Sequence, residues 1–189
     1  MQHKCRVTVL DKKLYPELQK LYCADPESGA CPCYNVGDEY IFERYAARDD
    51  FWHMGEGTMV KGEAGMAGSR GVPHCSEAWD AISRYIYTAL QGGAIMRGWM
   101  NDERVMITCC SDGTRPVIFK LERLDYQAVY AEGAEKSALL EVLKALKGVI
   151  EAIWRDEGFY ELYTGPKGVP EEYVRAAVES AGGTLLRID

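Results

Sequence analysis

The chain has no apolar run long enough to cross a bilayer and no excess of positive charge. A transmembrane helix needs about 20 consecutive apolar residues, and no run in the 189 residues approaches that length. Lys and Arg total 22 against 29 Asp and Glu, which gives a formal net charge of −7. A field of that sign repels phosphate backbones, so we expect neither a membrane nor a nucleic acid as partner.

A secretory signal is also missing from the first residues. The opening MQHKCRVTVLDKK has neither an apolar stretch nor a small-residue cleavage site, so we predict a cytoplasmic protein. Cysteine is present, but the count of seven is odd. In a reducing compartment a disulfide framework is not expected, and each thiol is core packing, a metal ligand or a reactive group.

The common catalytic signatures do not occur. The sequence has no repeated Cys-x-x-Cys pair at zinc-finger or ferredoxin spacing, no G-x-G-x-x-G after a strand, no G-x-S-x-G and no H-E-x-x-H. The sequence alone therefore does not identify a reaction. It indicates only where a site would lie and which atoms would form it.

The N-terminal two thirds of the chain predicts an α+β fold. Apolar residues make up 47% of the chain, enough to fill a core. Alternating segments near residues 6, 40, 106 and 117 predict a mostly antiparallel sheet. The segment SEAWDAISRYIYTALQGG predicts a helix that packs on it, with Ser76 as the cap and Gly92 after its end.

The C-terminal third predicts a helical extension. Leu139, Leu143, Leu146, Ile150 and Ile153 recur at helical spacing, so one long helix is expected over residues 135–158. A strand, a helix and a last strand after it predict a short βαβ element. We therefore expect a core domain over residues 1–128 and an α/β extension over residues 129–189.

Residues 46–73 are rich in Gly and Met and show no sustained period. We expect a long loop there, and long loops inside compact domains are often lids or binding loops. Trp52 or Met54 would then line a small-molecule pocket beside Cys75.

Two adjacent cysteines, Cys109 and Cys110, end a predicted strand just before Ser-Asp-Gly-Thr, which predicts a hairpin. Neighbouring side chains on a strand point to opposite faces, so the two sulfurs have different surroundings. We expect Cys110, which is nearer the turn, to be the exposed one, with Asp112 beside it. The alternative is that both thiols are core packing.

Cys75 directly precedes the predicted helix from Ser76. The positive end of a helix dipole favours a thiolate, so the expected pKa of Cys75 is lowered. Cys31 and Cys33 flank Pro32 in a turn-rich segment, and a Cys-x-Cys pair can bind metal. A site for zinc or an iron–sulfur cluster would need Cys31 or Cys33 to meet Cys75 and Cys109 or Cys110 in the fold.

Three segments together resemble a family of small uncharacterised prokaryotic proteins. They are CYNVGDEYIF, VPHCSEAWDAISRYIYTALQGG and ITCCSDGTRPVIFKLER, and the resemblance covers about residues 5–125. It marks eight positions of this chain, namely Cys33, Gly37, Asp38, Cys75, Cys110, Asp112, Gly113 and Phe119. The resemblance implies positions and no known reaction. The 46–73 loop and the region from about 131 depart from the family pattern.

Three functions therefore stay open. The first is a metal or iron–sulfur site on Cys31, Cys33, Cys75 and Cys110. The second is thiol redox chemistry, with Cys75 as the nucleophile and Cys110 or Cys33 as the resolving partner. The third is a non-catalytic module whose cysteines are core packing and whose long C-terminal helix docks a partner or a second copy as a homodimer.

Overall fold

The computed structural model describes residues 1–43, 59–61 and 75–189. The helices are α1 (Pro16–Tyr22), α2 (Ser76–Leu90), α3 (Lys136–Lys144) and α4 (Glu171–Ser180). The strands are β1 (Gln2–Lys12), β2 (Glu39–Glu43), β3 (Met59–Lys61), β4 (Val105–Cys109), β5 (Val117–Glu132), β6 (Val149–Arg155), β7 (Phe159–Thr164) and β8 (Thr184–Ile188). Within the described residues, no helix has the length and apolar character needed to cross a membrane.

The chain forms two compact units. One is Lys4–Arg123, and the other joins Met1–His3 to Leu124–Asp189. Strand β5 contributes residues to both. The structure thus places the division between residues 123 and 124, five residues before the expected one at 128/129.

The Lys4–Arg123 unit is an antiparallel sheet with one long helix, as predicted. Its strands lie in the order β3-β2-β1-β5, and β4 also pairs with β5. Every second residue of β5 is buried, with Val117, Phe119 and Leu121 at most 1% exposed. The same alternation buries Tyr40 and Phe42 on β2, because successive side chains of a strand point to opposite faces.

Helix α2 supplies the other half of this unit's core. Ile82, Ile86 and Leu90 are buried at a spacing of four residues, which aligns them on one face. The predicted cap is wrong: Ser76 is the first helical residue, and Cys75 occupies the N-cap with no side-chain hydrogen bond. Gly92 follows the helix with φ +75°, a left-handed conformation that glycine adopts without strain.

The second unit follows the order β5-α3-β6-β7-α4-β8. Its strands are arranged β8-β5-β7-β6, and β5 pairs antiparallel with both β7 and β8. This is the split βαβ, or ferredoxin-like, arrangement. Its buried core is formed by both helices and the sheet, and includes Val129, Leu139, Leu143, Tyr160, Leu162, Val174 and Val178.

The predicted long C-terminal helix is wrong beyond residue 144. Helix α3 ends at Lys144, and Val149–Arg155 is the strand β6. Ala145 is the C-cap, Gly148 adopts φ +95° in the turn that follows, and the Val-Ile-Glu-Ala-Ile-Trp run after it pairs with β7. The final βαβ element is also not a pair of neighbouring strands, because β5 lies between β7 and β8.

The predicted loop over residues 46–73 contains one described segment. Met59–Lys61 forms β3, which pairs antiparallel with β2 through Tyr40↔Lys61, Ile41↔Val60 and Phe42↔Met59. The rest of that stretch, including Trp52 and Met54 and with them the lid prediction, lies outside the described residues.

Candidate functional site

The structure brings together three of the predicted thiols, Cys31, Cys33 and Cys75, which we call the thiol cluster. All three are half-buried against the core of the Lys4–Arg123 unit. Burial raises the pKa of Cys33, and the charge of Cys31, a hydrogen bond with Cys31 and the charge of Cys75 raise it further. The three thiols therefore lie close enough for their charges to act on one another.

Cys31 and Cys33 lie on the connection between α1 and β2, and a buried glutamine holds that connection in place. Gln19 on α1 is 2% exposed. Its Nε2 donates to the Gly29 carbonyl at 3.0 Å, and its Oε1 accepts from the Gly29 N–H at 3.2 Å. The side-chain amide thereby satisfies both backbone groups of Gly29, which a loop without strand partners leaves open.

The other side of Cys33 is anchored through Tyr34. The Tyr34 ring is buried and makes edge contacts with Tyr40 and Phe119, at centroid distances of 6.2 and 5.4 Å. Lys12 Nζ donates to the Tyr34 carbonyl at 2.8 Å. Burial, followed by the charge of Cys75, raises the pKa of Tyr34, so the phenol stays protonated next to the cluster.

Cys75 reaches the cluster from the N-terminus of α2. Its Sγ donates to Oε2 of Glu77 at 3.3 Å. Burial raises the pKa of Cys75, and the Glu77 carboxylate adds to the rise, while backbone N–H groups of the first helical turn lower it by less. The predicted fall in the Cys75 pKa is therefore wrong, because desolvation and a neighbouring anion outweigh the helix terminus.

A cation stands beside the sulfurs. The pKa of Arg115 is raised first by its hydrogen bond to Asp112 and then, after a small opposing effect of burial, by charges that include Cys31 and Cys33. Arg115 Nε lies 3.1 Å from Asp112 Oδ2. The charge of Arg115 in turn lowers the pKa of Cys33, by less than burial and the neighbouring thiols raise it.

Asp112 stabilises the turn between β4 and β5 through hydrogen bonds of its carboxylate. Its Oδ1 accepts from Thr114 N at 2.8 Å, Thr114 Oγ1 at 2.9 Å and Arg115 N at 3.2 Å. Burial opposes ionisation, but these hydrogen bonds and the one from Arg115 Nε lower the Asp112 pKa overall. Asp112, which the sequence analysis placed beside Cys110 as a candidate site residue, thus holds the Arg115 side chain through its carboxylate.

The expectation for the two adjacent cysteines is reversed. Cys109 is exposed, whereas Cys110 is 7% exposed and belongs to the core. Cys110 continues the pairing beyond β4: its N–H donates to the Val117 carbonyl at 3.1 Å, and its Sγ accepts from Val117 N at 3.3 Å. The sulfur that faces the protein interior is therefore the one nearer the turn, because the ladder extends through it.

The sequence analysis did not identify two residues that interact with the thiol cluster, Arg115 and Tyr34. Both directly extend motifs that were singled out, Asp-Gly-Thr-Arg and Cys-Pro-Cys-Tyr. The proximity of the two motifs depends on the pairing of β1 with β5, shown by Tyr15 N donating to the Thr114 carbonyl at 2.9 Å. No local pattern predicts that long-range contact.

A metal centre does not fit the cluster as it stands. In residues 1–43, 59–61 and 75–189, no group of three or more His, Cys, Asp or Glu side chains is arranged to hold a metal ion. Cys110, one of the four predicted ligands, is directed to the backbone of Val117. We therefore derive no chemistry through zinc or an iron–sulfur cluster.

Comparison with known proteins gives no relative. No family model, no curated protein and no solved structure matches the chain. The family resemblance of residues 5–125 accordingly stays a prediction, and the case for a function depends on the thiol cluster itself.

Proposed function

We propose that this protein carries out thiol–disulfide exchange through Cys31 and Cys33, with Cys75 as a third thiol beside the pair. The observation that carries the proposal is that Cys31 and Cys33, two residues apart, pack with Cys75 against the same core, and that the charges of Cys31 and Cys75 both add to the burial that raises the pKa of Cys33.

The raised pKa of Cys33 supports different roles for Cys31 and Cys33 in the exchange reaction. Part of the rise comes from the charge of Cys31 and from a hydrogen bond to it. The charge of Cys31 thus favours the protonated form of Cys33. In the proposal Cys31 is the attacking thiolate, and Cys33 is the resolving thiol.

The chemistry balances without a metal. The Cys31 thiolate attacks one sulfur of a substrate disulfide, which forms a mixed disulfide and releases the other substrate sulfur as a thiolate. Cys33 then loses its proton to that released thiolate or to water and attacks the Cys31 sulfur. The Cys31–Cys33 disulfide forms, the second substrate thiolate leaves, and the substrate has gained two electrons.

Arg115 supplies the electrostatic support. Its Nε donates to Asp112 Oδ2 at 3.1 Å, and its charge interacts with those of Cys31 and Cys33. A fixed cation favours the thiolate form and stabilises the negative charge that moves between sulfurs during exchange. Cys75, which donates to Glu77, stays protonated next to the pair and is available as an alternative resolving thiol.

Trapping the mixed disulfide tests the proposal. Wild-type protein incubated with oxidised glutathione should lose two hydrogen atoms and carry no glutathione, and peptide mapping should place the new bond between Cys31 and Cys33. The Cys33→Ser/Cys75→Ser variant has no resolving thiol and should hold glutathione on Cys31. Cys31→Ser should do neither.

Cys109→Ser is the matched control, because Cys109 is an exposed thiol outside the cluster. It should behave as wild type. Glutathione on Cys109 with an unchanged cluster would contradict the proposal in favour of cysteines that only pack. Zinc or iron bound stoichiometrically in wild-type protein and lost in Cys75→Ser would replace it with a metal site.

A further inference from the structure

Strand β6 forms one end of the sheet in the second unit. The strand order ends at β6, which pairs on its inner side with β7, and among the described residues no strand covers its outer side. Two isoleucines on this edge are exposed, Ile150 at 73% and Ile153 at 36%. An open edge strand with exposed apolar side chains is a template for pairing with another strand.

The side chains of β6 alternate between two faces. Glu151, Ile153 and Arg155 lie opposite Tyr163, Glu161 and Phe159 of β7 and so share one face. Ala152, which is 2% exposed, and Trp154 belong to the other face, where they pack in the core with the helices. One face of the edge thus carries an anion, an isoleucine and a cation at equal spacing.

We propose that β6 pairs antiparallel with β6 of a second copy of this chain, with Ile153 opposite Ile153 at the two-fold axis. In that register Glu151 of each copy lies opposite Arg155 of the other. Ala152 lies opposite Trp154, so a small side chain faces a large one. The two-fold symmetry produces two such Glu151–Arg155 pairs, so the edge strand is complementary to a second copy of itself.

Other registers lose this complementarity. A shift of one residue places the helix-covered face of one copy beside the open face of the other. A shift to Ala152 at the axis sets Glu151 against Ile153, and a shift to Trp154 at the axis sets Ile153 against Arg155. Only the register centred on Ile153 pairs unlike charges and buries the isoleucine against its own copy.

Arg155 interacts with acidic side chains of its own chain. Its Nε lies 3.8 Å from Glu157 Oε2 and 3.7 Å from Glu161 Oε1, both long for charge-assisted hydrogen bonds. The guanidinium has five N–H donors, so it can bind the partner's carboxylate in addition. Because one edge strand is a small interface, the dimer should be weak and concentration-dependent.

A charge exchange tests the register. Sedimentation equilibrium of the full chain should show wild type dimerising, while Glu151→Arg alone and Arg155→Glu alone should each weaken dimerisation by about tenfold or more, because like charges then face each other. The double variant Glu151→Arg/Arg155→Glu should dimerise as wild type does. Far-UV circular dichroism checks that all variants fold, and double-variant recovery separates a lost pair from a damaged fold.

Cross-linking gives a second, independent readout. Ile153→Cys should form a disulfide-linked dimer on mild oxidation, because residues directly opposite in an antiparallel pair lie about 4.5–5.5 Å apart at Cα, within disulfide reach. Peptide mapping must place the bond between the two introduced cysteines. Ile150→Cys, further from the axis, is the matched control. A wild-type monomer at all concentrations, or equal cross-linking at both positions, would overturn the proposal.

Discussion

The two units of this protein differ most in where their chemistry lies. All seven cysteines belong to the Lys4–Arg123 unit, and the Leu124–Asp189 segment has none. The first unit carries several of its thiols on connections such as the one from α1 to β2, which holds Cys31 and Cys33. The second is a regular βαββαβ unit whose most conspicuous surface feature is the edge strand β6.

The difference shows how a loop site is held. In the first unit, side-chain hydrogen bonds hold the connection that carries Cys31 and Cys33: Gln19 binds both backbone groups of Gly29, and Lys12 binds the Tyr34 carbonyl. These bonds fix a segment that would otherwise be mobile, on a rigid sheet. Functional side chains are commonly carried on loops that a scaffold positions in this way.

The largest predicted effect is a loss of stability in the core of the Lys4–Arg123 unit. Phe119→Ala removes a ring that is 1% exposed and contacts Tyr34, so we predict a loss of about 3–5 kcal/mol in the free energy of unfolding. Because Tyr34 then loses a packing partner, alkylation of Cys33 and Cys75 should speed up under native conditions. Urea unfolding and site-resolved iodoacetamide labelling measure both effects.

Leu143→Ala is the control in the cysteine-free unit. Leu143 is fully buried there, and its truncation should cost about 2–5 kcal/mol. It should nevertheless leave the labelling rates of Cys33 and Cys75 unchanged well below the unfolding transition. Equal acceleration in both variants would contradict the assignment of the thiols to one core.

A buried arginine should give the next largest effect. Arg123 is 6% exposed and donates to the carbonyls of Gly92 at 2.7 Å and Gly93 at 2.6 Å, just after α2. Arg123→Leu should reduce the free energy of unfolding by about 3 kcal/mol, because two hydrogen bonds from a buried cation to half-buried carbonyls are lost. Arg84→Leu, on the exposed side of α2, should change it by less than about 0.5 kcal/mol.

Alkaline pH should destabilise the cysteine-containing unit. Burial raises the pKa of Cys5 from 9.0 to about 12. Between these values the folded state keeps a proton that the unfolded state has lost, so stability falls as pH rises from 9 towards 12. The steepest slope from one such group is about 1.4 kcal/mol per pH unit.

Cys5→Ala tests that assignment, since Cys5 is completely buried and alanine has no ionisable group. Thermal unfolding measured from pH 8 to pH 11 should show a shallower decline in the variant. An identical decline in both proteins would assign the alkaline effect to other groups, such as Tyr34 and Tyr40, whose pKa values burial also raises.

The smallest predicted effect uses a matched pair of glutamines. Gln127 binds Val169 in the second unit as Gln19 binds Gly29 in the first, with its Oε1 2.7 Å from Val169 N and its Nε2 3.0 Å from the Val169 carbonyl. Either substitution to alanine should cost about 1–2 kcal/mol. Only Gln19→Ala should alter the reactivity of Cys31 and Cys33, and an equal change in Gln127→Ala would be evidence against this anchoring role.

Much of the fold could be predicted from local patterns. The alternation in β2 and β5 and the spacing of Ile82, Ile86 and Leu90 in α2 correctly indicated an antiparallel sheet with a packed helix. The failure over residues 149–155 has a physical reason. Isoleucines at 150 and 153 fit a helical stripe, but the helix ends at Lys144, Gly148 turns the chain with φ +95°, and the strand that follows pairs with β7 only through tertiary structure.

The site was less predictable than the fold. Cys31, Cys33 and Cys75 were all candidates, but their proximity depends on where α2 begins relative to the loop after α1. The protonation of Cys75 depends on burial and Glu77, and burial is a property of the folded chain. The exposure of Cys109 and the burial of Cys110 depend on one further pair of the β4–β5 ladder.

The most direct test of the thiol-exchange account is the reduction potential of the Cys31–Cys33 pair. Wild-type protein would be equilibrated in glutathione buffers of graded potential without oxygen, quenched by alkylation and mapped by mass spectrometry. The account predicts a single two-electron transition at these two residues, at about −180 to −270 mV as in thiol oxidoreductases, and its loss in Cys31→Ser. No transition at these residues, or one that survives Cys31→Ser, would contradict it.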